Sequence, residues 1–234
     1  MENERDLGLA SRKEETREVR KVTIPLQFTL AEIKQHFEES INAVKKQYDV
    51  AQSLSDAGDL DGCKNIWRSQ VVFAEGIMDF YIHEMSKYCL FRMFNKEWEK
   101  SQQYEHFQVP MEIVEKAALG QEPKDWFFEH LNKRFSRDVF LSSENMKQQL
   151  NLIGIGFVPA MVRAFPGANE EVSKKIGSKT IAALFERRNA IAHQNDRDHA
   201  SAKQNDISKE FVEGYIGSIE KIVNAIHSIA EEKS

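Results

Sequence analysis

The sequence has few of the residues that disulfide scaffolds, long loops or membrane spans require. Its 234 residues include only two cysteines and five prolines. Cys63 and Cys89 are too few and too far apart for a disulfide framework, which favours free thiols in a reducing compartment. The longest apolar-rich run, Leu152 to Val162, is far shorter than the roughly 20 residues that span a bilayer. The charged N-terminus does not follow a secretory signal pattern. We therefore expect a cytoplasmic protein that does not enter a membrane.

The net charge of the chain is also small. The chain carries −5 overall, which excludes the coating of nucleic acid by bulk electrostatics and leaves only a local patch for such contacts. Between Arg163 and Arg197, seven lysines and arginines face four acids, so this stretch carries +3 and the remainder −8. The basic surface expected for an RNA partner therefore falls in the C-terminal third of the chain.

Helical periodicity dominates the pattern, and no convincing alternation typical of strands is present. Apolar residues recur every three or four positions, as on one face of a helix. The predicted helices are one capped by Thr29 and Glu32 that carries Ile33 to Ala51, a long one from about Cys63 to Asn95, two shorter ones between Gln108 and Arg137, one capped by Ser142 or Ser143 that ends near Gly154, one from about Glu170 to Ala192, and a last one that carries Phe211 to Ile229. We predict an all-α fold, a helical bundle of about five to seven helices with two long antiparallel helices, over residues 29–234. A charged N-terminal extension, residues 1–28, precedes it.

The stretch "LFERRNAIAHQNDR", residues 184–197, is the one segment that suggests chemistry. It places Arg188, Asn189 and His193 where a helix gives way to a polar turn. In a regular helix Arg188 and His193 lie about 140° apart around the axis, so they share a side only if the helix loosens before His193. The turn residues after His193 favour such loosening. The alternative is structural, because basic residues at a helix C-terminus are common partners of its dipole.

A histidine beside an arginine suits cleavage of RNA by its own 2′-hydroxyl group. That reaction needs a base for the 2′-hydroxyl, an acid for the leaving 5′-oxygen and a cation for the phosphorane. Histidine can fill either proton-transfer role, and the planar fork of arginine matches phosphate oxygens. The reaction requires no metal ion, and we expect no cofactor.

"RNAIAH" resembles the signature of HEPN domains, which are all-α bundles with an Arg, four to six intervening residues and a His. "VVFAEGIMDFYIHEMSK", residues 71–87, is similar to an early long helix of the RiboL-PSP type of HEPN domain, and the resemblance covers about residues 62–230. It implies that Arg188 and His193 are catalytic and that Glu75 and Asp79 face the motif helix and position Arg188, with Asn189 in support.

The same resemblance implies a metal-independent endoribonuclease that leaves a 2′,3′-cyclic phosphate and acts as a homodimer with a composite site. Such domains serve as toxins, phage-defence effectors or RNA-processing factors, so an antitoxin or regulatory protein is a further expected partner. Some members have lost activity, and a non-catalytic module that binds RNA or a partner protein is therefore the alternative function.

Three further basic residues, Arg187, Arg197 and Lys179, are candidates for contacts with RNA. A metal site is not expected. His193, Asp196, Asp198 and His199 cluster in sequence, but they lack the spacing of metal ligands. We expect them to form a solvated loop.

Overall fold

Nine α-helices make up residues 27–234, the part of the chain that the structure, a computed structural model, describes. They are α1 (Leu30–Lys45), α2 (Gln47–Asp56), α3 (Leu60–Phe94), α4 (Met111–Ala118), α5 (Trp126–Phe135), α6 (Ser143–Leu152), α7 (Phe157–Ala164), α8 (Glu170–Gln194) and α9 (Lys209–Lys233). The all-α prediction is confirmed. The charged extension lies almost wholly outside the described residues. No helix among residues 27–234 is long and apolar enough to cross a membrane.

Side-chain oxygens cap most of the long helices, because the first backbone N–H groups of a helix have no partner within it. Thr29 and Glu32 form the predicted capping box at the start of α1. The N-cap side chains of Asp59, Ser142, Asn169 and Ser208 each accept a backbone N–H at the starts of α3, α6, α8 and α9. The predicted starts of α1, α6 and α8 therefore agree closely with the structure.

Two features differ from the predicted helices. The first predicted helix is interrupted at Lys46, so that α1 and α2 follow each other as separate helices. The sequence also gave no indication of α7, since Gly154, Gly156 and Pro159 surround or enter it. Pro159 is the third residue of α7, where its missing N–H costs no intrahelical hydrogen bond.

The long helix α3 is the centre of the bundle and packs against α1, α2, α5, α8 and α9. Its N-terminal half contacts the C-terminal half of α8, because Arg68 reaches Asp196 just after α8 while Glu75 lies beside Arg188. These two contacts define α3 and α8 as antiparallel. Both cysteines are buried and unbonded in the described part of the chain.

Candidate active site

The C-terminal end of α8 carries the predicted motif, and it stays helical past the histidine. The helix ends at Gln194 instead of loosening before His193, and Asn195 then adopts a left-handed conformation with φ of 50°. The backbone N–H of Asp196 donates to the carbonyl of Ala190 at 2.8 Å, a hydrogen bond that ties the residue after the turn back to the last turn of α8. The expected convergence of Arg188 and His193 in one chain is therefore wrong. They remain about 140° apart around the helix axis.

His193 lies on the solvent side of the last turn of α8. Its side chain is exposed, whereas Leu184, nine residues earlier and on the opposite side of the helix, is buried in the core. Asn189 is one turn before His193 and about 40° from it. The imidazole is thus presented to solvent by a helix whose opposite side is anchored in the core.

Arg188 points toward α3. Its Nε lies 3.9 Å from Glu75 Oε2, and its side chain is 27% exposed. Its Nη1 donates to Asn189 Oδ1 at 2.9 Å. The structure therefore brings together Arg188, Asn189 and Glu75, three of the five residues predicted for the site, and leaves His193 on another side of α8.

Glu75 is fully buried, and neither of its carboxylate oxygens has a hydrogen-bond partner among residues 27–234. Burial raises the pKa of Glu75 to about 7, against the attraction of Arg188, and nearby Asp79 adds to the rise. The neighbouring Tyr215 hydroxyl donates its proton to the Leu184 carbonyl at 2.8 Å. The carboxyl group therefore changes charge near neutral pH, directly beside the motif arginine.

Asp79 lies one turn further along α3 and anchors a loop. Its Oδ1 accepts the backbone N–H of Phe140 at 3.0 Å, and its Oδ2 is 3.8 Å from His83 Nε2. Burial raises the pKa of Asp79, while the Phe140 hydrogen bond, His83 and Arg188 lower it. Arg188 is the weakest of these influences on Asp79, so a role of Asp79 in positioning Arg188 stays a prediction.

Asp196 is the centre of an ion-pair cluster that the sequence did not reveal. The expectation of a solvated loop is wrong for this residue, which is fully buried. Its Oδ2 accepts from Arg68 Nε at 2.9 Å and from Arg187 Nη2 at 2.8 Å, and its Oδ1 accepts from Arg187 Nη1. Asn205 closes the loop by donating its backbone N–H to the Asp196 carbonyl at 2.7 Å. The cluster ties the end of α8 to α3 and to the segment before α9. Arg68 and Asp196 are 128 positions apart, so spacing gave no signal.

The three predicted RNA-contacting residues have different surroundings. The guanidinium of Arg187 is occupied by Asp196 and by the carbonyl of Asp206. Arg197 is exposed and donates to the carbonyl of Ala202 at 2.7 Å. Lys179 is exposed on the same side of α8 as His193, about 21 Å away along the axis. Contact of these residues with RNA stays a prediction, and the structure does not gather them into one patch.

A groove of about 710 Å³ between α1 and α3 opens beside Arg188. Ile33 and Phe37 line its α1 wall. Phe73 and Phe80 line its α3 wall although their side chains are 55% and 52% exposed. Large exposed aromatic side chains beside a polar group are typical of interaction surfaces.

The fold and the motif together define a class of protein. It is an all-α bundle whose penultimate helix carries Arg188, directly followed by Asn189, and then His193, with four residues between the arginine and the histidine. The family model described as RiboL-PSP-HEPN matches residues 29–232. The chain therefore belongs to the RiboL-PSP-HEPN family, and this membership supports an RNA-related function. No curated protein and no solved structure matches the chain.

Proposed function

We propose that this protein is a metal-independent endoribonuclease that acts as a dimer, with Arg188 and His193 as its catalytic residues. The observation that carries the proposal is the disposition of α8, a regular helix of a HEPN bundle. It presents His193 to solvent, while Arg188 lies beside Glu75 at the wall of a groove. Asn189 supports the site by accepting a hydrogen bond from Arg188.

In the proposed reaction the 2′-oxygen of the substrate attacks the adjacent phosphorus. One His193 accepts the 2′-hydroxyl proton, and a second, protonated His193 donates a proton to the 5′-oxygen as its bond to phosphorus breaks. Arg188 stabilises the charge of the phosphorane through its guanidinium group. The products are a 2′,3′-cyclic phosphate and a 5′-hydroxyl end.

A second copy of the chain would supply what one chain lacks. A single chain contributes one motif histidine, which leaves the reaction short of either its acid or its base. The regular helix also holds Arg188 and His193 on different sides of α8. A two-fold dimer that buries the groove, with its exposed Phe73 and Phe80, would bring Arg188 of each protomer close to the other protomer. We propose this surface as the dimer interface.

In the cell, such an enzyme would serve as a toxin or a phage-defence effector. Its targets would be RNA molecules, and an antitoxin or regulatory protein would restrain it. Expression of the wild-type chain should then slow growth and degrade total RNA, and His193→Ala should do neither. Equal growth with both chains would contradict the toxin role, but it would not contradict ribonuclease activity in the purified protein.

The activity test uses purified protein, single-stranded RNA and EDTA. We expect cleavage by the wild type, and a loss of about 10²-fold to 10⁴-fold in His193→Ala, the usual contribution of an acid–base group. His199→Ala is the matched control, because His199 is another exposed histidine of the same region and should be dispensable. Cleavage that survives His193→Ala, or that needs a divalent metal ion, would refute the proposal.

Subunit mixing tests the composite site. Wild type and His193→Ala are denatured together in equal amounts and refolded, so that about half of the dimers are mixed and about one quarter are wild-type homodimers. Because the proposed site needs His193 from both protomers, the mixed dimers should be inactive, and about one quarter of the activity of an all-wild-type sample should remain. If about half remains although mass spectrometry detects mixed dimers, each chain acts alone and the composite site is refuted.

A second candidate function is a non-catalytic module that binds RNA or a partner protein. It is favoured by Arg188, which is turned toward Glu75 and Asn189 and is only partly exposed. In that case Arg188→Ala weakens binding while no preparation cleaves RNA. Cleavage that depends on His193 would exclude this function.

A further inference from the structure

A second cleft lies on α5 and α6, away from the motif. Its volume is about 960 Å³, which is within the range of small-molecule sites. Its walls are the segment after the short 3₁₀ helix Tyr104–His106, the C-terminal half of α5, the loop of residues 137–140 and the middle of α6. Neither Arg188 nor His193 lines it.

Two polar side chains in the cleft wall are buried without partners. His130 is 7% exposed and Gln149 is 5% exposed. The Nε2 atom of each has no hydrogen-bond partner among the described residues. An unmade hydrogen bond at a buried group is costly, and native proteins avoid it. Two such groups in the wall of one cleft indicate that a bound ligand supplies their missing hydrogen bonds.

The remaining wall combines aromatic rings with positive charge. Phe107, Phe135 and Phe140 all line the cleft, and the ring centroids of Phe107 and Phe135 are 6.4 Å apart. Arg137 is exposed at the rim, whereas Arg134 is held by Asp138 at 3.1 Å. Burial, together with Arg134 and Lys133, lowers the pKa of His130. His130 is thus neutral at pH 7 and offers a hydrogen bond rather than a charge.

We propose that this cleft binds a nucleotide. The base lies against Phe107, which is partly exposed, whereas Phe135 and Phe140 are buried behind it. The polar edge of the base hydrogen-bonds to His130 and Gln149, and the phosphate group of the nucleotide meets Arg137. Flat rings that stack on aromatic side chains and have mixed donor and acceptor edges are the chemistry of nucleobases. The nucleotide is either a free molecule or one residue of a single-stranded RNA.

Calorimetric titration tests the binding. Adenosine 5′-monophosphate and uridine 5′-monophosphate are the probes. Ribose 5-phosphate, which lacks the base, and adenosine, which lacks the phosphate group, are the half-ligands. At least one nucleotide should bind saturably and at least about tenfold more tightly than either half-ligand, a factor that one good interaction supplies. A short 2′-O-methyl oligonucleotide, which lacks the attacking hydroxyl group, distinguishes the two sources. Tighter binding of the oligonucleotide identifies an RNA residue, and equal or weaker binding identifies a free nucleotide.

Two variants locate the site. Arg137→Gln should weaken nucleotide binding at least about tenfold, and Lys133→Gln, an exposed cation of the same region outside the cleft, should leave it unchanged. Gln149→Met should weaken binding similarly and also raise the melting temperature of the unliganded protein, because it removes an unpaired buried amide. A residue with only a structural role would lower the melting temperature.

The outcomes are separable from those of the ribonuclease test. His193→Ala should bind the nucleotide as the wild type does, so the binding proposal and the ribonuclease proposal can be refuted separately. Absence of saturable binding at millimolar concentration overturns the proposal. So does binding that Arg137→Gln and Gln149→Met leave unchanged, since the ligand then lies elsewhere.

Discussion

The substitution Glu75→Gln removes a buried titrating group from beside the motif arginine. Glu75 is fully buried and 3.9 Å from Arg188 Nε, and neither of its oxygens is hydrogen-bonded within residues 27–234. Glutamine keeps the shape of the side chain and still presents an oxygen toward Arg188. It cannot ionise, so the variant isolates the free-energy cost of a charge at this position.

The magnitude follows from the pKa of Glu75, which is 4.5 in the unfolded chain and about 7 in the folded protein. Between these values the folded state binds more protons than the unfolded state, so the free energy of unfolding falls as the pH rises and levels off above about 7. A difference of about 2.5 pKa units corresponds to about 3 kcal/mol. Glu75→Gln should therefore be more stable than the wild type by about 3 kcal/mol at pH 8, and little different at pH 4.5.

Urea denaturation followed by tryptophan fluorescence, at one protein concentration and several pH values, measures this difference. The wild-type curve should fall with pH more steeply than the variant curve. Burial also raises the pKa of Asp79, so a residual slope remains in the variant and only the difference between the curves reports Glu75. Glu186→Gln, on the exposed side of α8, is the control. Parallel curves for wild type and Glu75→Gln would refute the assignment of a raised pKa to the buried Glu75.

Two further predictions concern the ion-pair cluster and the groove. Asp196→Asn should lower the free energy of unfolding by about 3–5 kcal/mol, because it leaves the buried charge of Arg68 without its partner. The control Asp198→Asn, at an exposed residue, should lower it clearly less. Equal losses in urea denaturation would contradict the role of the ion-pair cluster. Phe73→Glu should convert a dimer to a monomer in light scattering, because a charge in a buried apolar interface is costly, and Leu119→Glu, at another exposed apolar residue, should not. A dimer that survives Phe73→Glu would place the interface elsewhere.

The sequence predicted the fold well wherever local signals agree. The start of α1 combines a capping box with an apolar period of three or four residues, and both signals give the same boundary. Such agreement was missing at α7, where Gly154, Gly156 and Pro159 are turn-forming residues in sequence. The structure shows a short buried helix there, because tertiary packing overrides weak local preferences.

The site was predictable only in part, because spacing describes one helix at a time. The proximity of Glu75 and Arg188 was expected from the resemblance to HEPN domains, and the structure places them in contact. The pairing of Arg68 with Asp196 was not predictable, since it joins α3 to a loop 128 positions away. The cleft with His130 and Gln149 was missed for the same reason.

Arg187 and Arg188 are neighbours on α8, but one has a structural environment and the other lies in the candidate active site. Adjacent residues project about 100° apart, so the two guanidinium groups enter different surroundings. Arg187 meets buried Asp196 and fixes the end of α8, while Arg188 meets Glu75 and borders the groove. The carboxylate beside Arg187 is fully engaged by hydrogen bonds, whereas the one beside Arg188 has none among the described residues. A phosphate group could therefore draw Arg188 away from Glu75 at a smaller cost than it could draw Arg187 from Asp196. This difference supports the proposal that Arg188, and not Arg187, binds the RNA phosphate, while Arg187 holds the end of α8 in place.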